Sequence, residues 1–229
     1  MSQEVEEMFA GIAPKYDRAN AILSLGVDSG WRRKAVKAAA IGPGSRVLDV
    51  ATGTGDLAFA FKKRVGAEGT VVGSDFCQPM LDVAVEKATR RGVELAFEQG
   101  DAMALPYPDD GFDAASIAFG IRNVDEPAKA VAEMARVVRP GGRVVVLEFG
   151  QPKGPISWPY RIYSKHVMPR IGALVTGDRA AYEYLPETAA AFPCGDAFAQ
   201  IMRDAADFTD IQVRPLTGGI AWLYTGTVA

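Results

Sequence analysis

The chain has a single histidine, His166, and only two cysteines, Cys77 and Cys194, far apart in sequence. One imidazole and two isolated thiols cannot supply a ligand set with zinc or iron–sulfur spacing, so no metal is expected. Both thiols read instead as small hydrophobic side chains. A surplus of charge is also missing. The 25 Lys and Arg residues and 28 Asp and Glu residues give a formal net charge of -3, with the signs mixed along the chain. Without a broad basic footprint there is little to hold a phosphate backbone, and nucleic acid is not an expected partner. No stretch approaches the roughly 20 apolar residues needed to cross a bilayer. Glu4, Glu6 and Glu7 stand where a secretory signal would carry positive charge. These absences together predict a cytoplasmic protein. Internal repeats and low-complexity tracts are absent as well.

The 229 residues, 48% of them hydrophobic, can bury a substantial core, and one domain over 1–229 is expected. From residue 45 short β-branched runs alternate with helical stretches, the signal for a parallel sheet covered on both faces. Strands are predicted at Arg46–Val50, Thr70–Ser74, Glu94–Gln99, Asp113–Phe119 and Arg143–Phe149, and helices at roughly 56–65, 78–91 and 127–138. Pro127 suits a first helical turn, and Pro140-Gly141-Gly142 reads as the stop of that helix. Ile211–Thr217 and Ile220–Thr225, separated by Gly218-Gly219, have two-residue hairpin spacing and add one antiparallel strand. The predicted fold is a doubly wound, mostly parallel seven-stranded α/β sheet. Two segments fall outside it: an N-terminal helical segment over 1–40, and an insert over 151–195 holding four of the seven tyrosines. An aromatic cover over a ligand would explain the insert, as would an amphipathic helix packed on the core.

The first predicted strand runs into Ala51-Thr52-Gly53-Thr54-Gly55-Asp56-Leu57-Ala58, a glycine turn that opens a helix. Such a turn lets a ligand approach the main chain closely, and with Asp75 about 20 residues on it also fits a dinucleotide fingerprint. The surrounding acids discriminate. Asp49 ends the strand and Asp56 stands in the helix's first turn, where a diphosphate would want the bare positive end of the helix. S-adenosylmethionine has no phosphate and carries an ammonium and a sulfonium, for which carboxylates are suitable neighbours. Asp75, closing the second strand, can accept from two ribose hydroxyls, and Asp101, after the third, from an adenine amine. Any one of these acids could instead cap a turn or helix. Their convergence at three consecutive strand ends points to a ligand crevice.

With those residues placed, the chain resembles the ubiquinone/menaquinone biosynthesis C-methyltransferase family, whose fold is the Rossmann-like class I methyltransferase, over nearly its whole length. The resemblance rests on three motifs: Tyr16-Asp17-Arg18-Ala19-Asn20 through Ser24 and Asp28 to Trp31, Phe119-Gly120-Ile121-Arg122-Asn123-Val124, and Arg136-Val137-Val138-Arg139-Pro140-Gly141-Gly142 through Glu148-Phe149. Ala19 departs from the usual Met, Asp28 from the usual His, and Ala118 from a Ser that contacts the cofactor in some members. The resemblance implies methyl transfer from S-adenosylmethionine to a ring carbon of a prenylated hydroquinone. It also implies cofactor contacts from Thr54, Asp75, Asp101 and Ala102, which join Asp49, Gly53 and Gly55 as the expected cofactor set. Arg122, Asn123 and Tyr16 are the catalytic candidates. Arg122 cannot lose its proton and would stabilise a developing phenolate or orient a water, or else make an ordinary salt bridge, and Asn123 could instead be a turn residue. Asp17 and His166 are lesser candidates. A lipid substrate would favour peripheral contact with the inner membrane. Other small-molecule methylation, of an oxygen or in the ubiquinone pathway, and a non-catalytic nucleotide-binding module are the competing readings.

Overall fold

The computed structural model describes residues 3–229. Seven strands, β1 (Arg46–Val50), β2 (Thr70–Asp75), β3 (Ala96–Gln99), β4 (Phe112–Ala118), β5 (Val138–Phe149), β6 (Phe208–Leu216) and β7 (Ala221–Val228), form one sheet in the order β3-β2-β1-β4-β5-β7-β6. The first five are parallel, and β7 lies antiparallel between β5 and β6. The chain order reverses beside β1, where β2 lies on one side and β4 on the other, so a crevice opens at the carboxyl ends of these strands.

The side-chain alternation of the strands divides the core. Leu48, Ala115, Ile117 and Val146 pack with Val131 and Met134 of α6 (Pro127–Arg136) and with Phe198 and Met202 of α10 (Asp196–Ala205). Val47, Ala114 and Val145 face the other way, against Trp31 and Ala35 of α3 (Val27–Ala38) and Phe61 of α4 (Asp56–Val65). The remaining central helix, α5 (Gln78–Arg91), stops at Gly92, which takes φ +60°. A third cluster joins the two segments outside the sheet. Ile12 of α1 (Gln3–Ile12) and Ala19 and Leu23 of α2 (Tyr16–Leu23) pack on Met168 of α8 (Met168–Thr176) and on Tyr182 of α9 (Ala180–Ala191). The short α7 (Ser157–Ile162) reaches α8 through a π-helical turn at Tyr163–Val167.

Besides one-residue shifts at the ends of β2 and β4, three predicted features change. β3 begins at Ala96 rather than Glu94, because its pairing with β2 starts at Val72↔Ala96. The Pro-Gly-Gly segment does not stop a helix: α6 has ended at Arg136, Val138 already pairs with Phe112, and Pro140–Gly142 is an irregularity inside β5 before Arg143 pairs with Ala114. A bulge tolerates the missing proline N–H. The terminal hairpin is longer than expected and turns through four residues, since Leu216 pairs directly with Ala221. No helix among the described residues is long and apolar enough to cross a membrane.

Candidate functional site

β1 delivers Asp49 to the crevice and the chain then bends through a turn in which Ala51, Gly53 and Gly55 all have positive φ. The two glycines are required for different reasons. A Cβ on Gly53 would meet nothing within 4 Å, so its bare backbone faces open space, whereas one on Gly55 would lie 2.9 Å from the Phe97 ring. Asp49 is 1% exposed and accepts hydrogen bonds from Thr52 Oγ1 and Ser116 Oγ, each at 2.7 Å. Burial raises its pKa to about 6, against the pull of the two hydroxyls and of Arg32. Asp75, at the end of β2, accepts from the Gly53 N–H at 2.7 Å and the Cys77 N–H at 2.9 Å. Burial pushes its pKa upward too. Each oxygen keeps a lone pair for a further donor.

Two cavities meet at this turn. The smaller is lined by Gly53, Asp75, Cys77 and Asn123. The larger, about 310 Å³, runs from Asp49, Thr52 and Thr54 to Arg122 and on to Tyr160, Tyr163, Tyr182 and Tyr184 of the insert. Phe9, Tyr16, Ala51, Gly53, Ala118 and Phe119 line both. Asp101 and Ala102 line neither. The Asp101 carboxylate accepts from the Met103 N–H at 2.9 Å in a tight turn after β3. Gly55 is likewise turned away, onto Phe97.

The N-terminal segment is tied to the turn by charge. Thr54 Oγ1 donates to Asp17 at 2.5 Å, and Lys87 of α5, only 3% exposed, reaches Asp17 at 2.5 Å and Asp56 at 3.0 Å. Asp56 is thus already paired, so of the two acids expected to repel a diphosphate only Asp49 stands uncompensated by a direct ion pair. Asp28, in place of the family's histidine, accepts from Ser24 Oγ at 2.7 Å and binds Arg32 one helical turn on. Its role is to hold the α2–α3 corner.

At the other end, Arg122 and Glu148 form an ion pair at 2.8 Å with side chains 4% and 1% exposed. Glu148 also accepts from the Phe149 N–H at 2.7 Å, and Arg122 Nη1 donates to the Phe119 carbonyl at 2.5 Å. Arg122 Nε is buried without a partner. A buried donor left unpaired is costly, and here it lies on a residue that lines the larger cavity. Tyr184 OH donates to Asn123 Oδ1 at 3.2 Å. Burial raises the Tyr16 pKa although Asn20 and Arg122 oppose it, so Tyr16 is a neutral hydroxyl and not a base at neutral pH. His166 is exposed and lines neither cavity.

Tyr16, Arg122 and Asn123 are therefore brought together with Asp49, Gly53, Thr54 and Asp75, while Asp101, Ala102 and Gly55 stand back from the cavities. Lys87, Glu148 and Arg32 escaped the sequence reading. Lys87 shares a helix face with the buried Met80, Ala84 and Ala88, and Glu148 interrupts an apolar strand; both patterns signal a buried charge. The acid-rich turn and the phosphate-free, cationic S-adenosylmethionine suit one another: Asp75 offers acceptors to a ribose, and Asp49 an anion to an ammonium.

A family model described as the ubiE/COQ5 methyltransferase family matches residues 1–228. The chain is 50% identical over 225 residues to the ubiquinone/menaquinone biosynthesis C-methyltransferase UbiE of Bdellovibrio bacteriovorus, covering 98% of this chain and 95% of the relative. It is 51% identical to a demethylmenaquinone methyltransferase of Deinococcus radiodurans, covering 98% and 92%. Among solved structures, a SAM-dependent methyltransferase of Thermotoga maritima, described as a possible histamine N-methyltransferase, superposes with a TM-score of 0.66 at 21% identity, over 97% of this chain and 99% of that one. At that identity the likeness concerns the fold alone.

Proposed function

The chain belongs to the ubiE/COQ5 methyltransferase family, and we propose that it methylates a ring carbon of demethylmenaquinol, with the prenylated ring held between Arg122 and the tyrosines of the insert. S-adenosylmethionine-dependent C-methylation in quinone biosynthesis follows from that membership. Relatives named for demethylmenaquinone support the choice of ring. The observation that carries the placement is the larger cavity, continuous with the cofactor turn at Phe119 and lined beyond it by Arg122 and the insert tyrosines.

The cofactor supplies an electrophilic methyl group. The protein must position an electron-rich ring against it, and ring carbons become nucleophilic when a hydroquinone loses a phenolic proton. Phenols ionise near pH 10, so a fixed donor and positive charge are needed beside the oxygen. The Arg122 guanidinium fills that role. Glu148 and the Phe119 carbonyl hold the guanidinium, so its positive charge stays beside the cavity without reorganisation. Tyr16 offers a neutral hydroxyl, and Asn123, held by Tyr184, orients the other face. Asp49, Gly53, Thr54 and Asp75 hold the cofactor, with Gly55, Asp101 and Ala102 shaping the turns behind them. The whole chain acts as one methyltransferase unit, in which 1–40 and 151–195 together roof the substrate.

The roof also presents a face to a membrane. Among the exposed large apolar side chains, Leu25 (85%), Trp158 (64%) and Leu174 (86%) lie on its two segments. Residues 151–177 carry four exposed cations, Lys153, Arg161, Lys165 and Arg170, and no acid, within a chain of net charge -3. Basic residues and interfacial aromatics suit an anionic bilayer, and Leu25 lines the cavity mouth through which a prenyl tail would pass.

The test is anaerobic incubation with methyl-labelled S-adenosylmethionine and demethylmenaquinone, with and without chemical reduction. A quinone carbon is electrophilic and cannot attack a sulfonium methyl. Label should enter a carbon of the reduced substrate only; equal labelling of the oxidised form, with reductants excluded, would overturn the mechanism.

A further inference from the structure

The methionine end of S-adenosylmethionine carries a carboxylate as well as an ammonium, and the acids assigned above account only for the cation. Around the glycine turn the structure gathers Asp17, Asp28, Asp49 and Asp56. An anion can be held there only by a cation with donors to spare. Lys87 cannot reach a ligand: it is 3% exposed, bonded to two carboxylates, and lines neither cavity. Arg122 lies at the far end of the cavity, with the insert tyrosines, where its Nη1 is bonded to Glu148 and to the Phe119 carbonyl and the rest of its guanidinium is assigned to the substrate ring.

Arg32 differs from both. It lines the larger cavity beside Asp49, Thr52 and Thr54, and its side chain is 16% exposed. Its Nη1 is bonded to Asp28, one turn earlier on α3 and itself steadied by Ser24, so the guanidinium plane is fixed. Its Nη2 lies 3.8 Å from Asp56, too far for a hydrogen bond, and Asp56 is already held by Lys87. Burial opposes the charge on Arg32, yet Asp56, Asp28 and Tyr16 keep its pKa above the ordinary value. A planar fork with an unused edge is the geometry that takes a carboxylate.

We infer that Arg32 binds the carboxylate of the methionine moiety, the counterpart of Asp49 on the ammonium; this rests on the placement of the cofactor across the turn. Arg32 is thereby a specificity residue, separating the intact amino-acid end from ligands that lack it.

The test is a calorimetric cycle with three ligands: S-adenosylmethionine, its decarboxylated analogue, which lacks only the carboxylate, and 5′-methylthioadenosine, which lacks the amino-acid end. Arg32→Gln should weaken S-adenosylmethionine by roughly ten- to a hundredfold, the range for a charge-assisted hydrogen bond. It should leave the other two within about twofold of the parent. Arg32→Lys, which keeps the charge and the pair with Asp28, guards against a folding defect; it should weaken S-adenosylmethionine by several-fold, again selectively. Equal losses on all three ligands, or no loss on S-adenosylmethionine, would overturn the assignment. A parent protein that binds none of the three would overturn instead the cofactor placement on which it rests.

Discussion

An Asp49 carboxylate that meets the cofactor's ammonium, as proposed, would make cofactor binding depend on pH in a calculable way. Its carboxyl is 1% exposed and its pKa is raised from 3.8 to about 6 by burial. A folded-state value above the unfolded one means that the folded chain holds the proton more tightly. This carboxyl's favourable contribution is therefore complete below the unfolded value and lost as the pH rises through about 6. The displacement corresponds to roughly 3 kcal/mol of burial cost at neutral pH. A cationic ligand is what the charged form then awaits. S-adenosylmethionine keeps its amino group protonated between pH 5 and 7, because α-amino groups titrate near pH 8. If Asp49 must be ionised to bind it, affinity should fall about tenfold from pH 7 to pH 5 through this group alone. Binding at pH 5 should also release a proton, seen in calorimetry as a heat that depends on the buffer. Asp75, pushed upward in the same crevice, adds to the parent's slope. The difference between the parent and Asp49→Asn isolates Asp49. The reasoning fails if the parent's affinity is flat over that range, or if Asp49→Asn keeps the parent's full slope.

Three further outcomes follow from the same geometry. Asp75→Asn keeps an oxygen for only one of the Gly53 and Cys77 amides, which bond different carboxylate oxygens, and the folded variant should lose about 1.5–3 kcal/mol of S-adenosylmethionine binding, measured by calorimetry; NAD should not bind the parent comparably. Arg122→Lys should lower turnover with cofactor affinity nearly unchanged, since a point charge cannot serve Glu148, the Phe119 carbonyl and the substrate at once; equal losses in both would place Arg122 in the cofactor pocket. Gly55→Ala should cost at least about 1 kcal/mol of stability in denaturant titrations, because φ is +85° and the new methyl would strike Phe97.

Periodicity carried the sheet. The β-branched runs and the helices between them sit close to where their sequence patterns place them, because alternation and amphipathic spacing are local properties that burial on both faces enforces. Errors fall where a long-range pairing overrides a local signal. Pro140-Gly141-Gly142 is as good a helix stop as short-range chemistry provides, but the Phe112↔Val138 pair has already drawn the chain into β5. Gly218-Gly219 has hairpin composition, but the Leu216↔Ala221 register leaves four residues in the turn.

The site divides along the same line. Acids at strand ends are legible, since each strand's end marks its own place in the crevice, and Asp49 and Asp75 do line the cavities. Asp101 satisfies the identical rule and yet turns to the Met103 amide, because a strand end fixes where a carboxylate begins and not which donor it meets first. The charges that organise the site could not be paired by spacing at all. Lys87 reaches Asp17, and Arg122 reaches Glu148, across sequence separations set only by how the roof and the sheet pack. A buried cation must find an anion or lose its charge, so a lysine on the apolar face of α5 and a glutamate inside β5 announce that partners exist without naming them. Naming them takes the fold. Once it is in place, Lys87, closed off on two carboxylates, is separated from the two arginines that line the larger cavity, Arg122 at the tyrosine end and, beside Asp49, Arg32, whose second edge remains for a ligand.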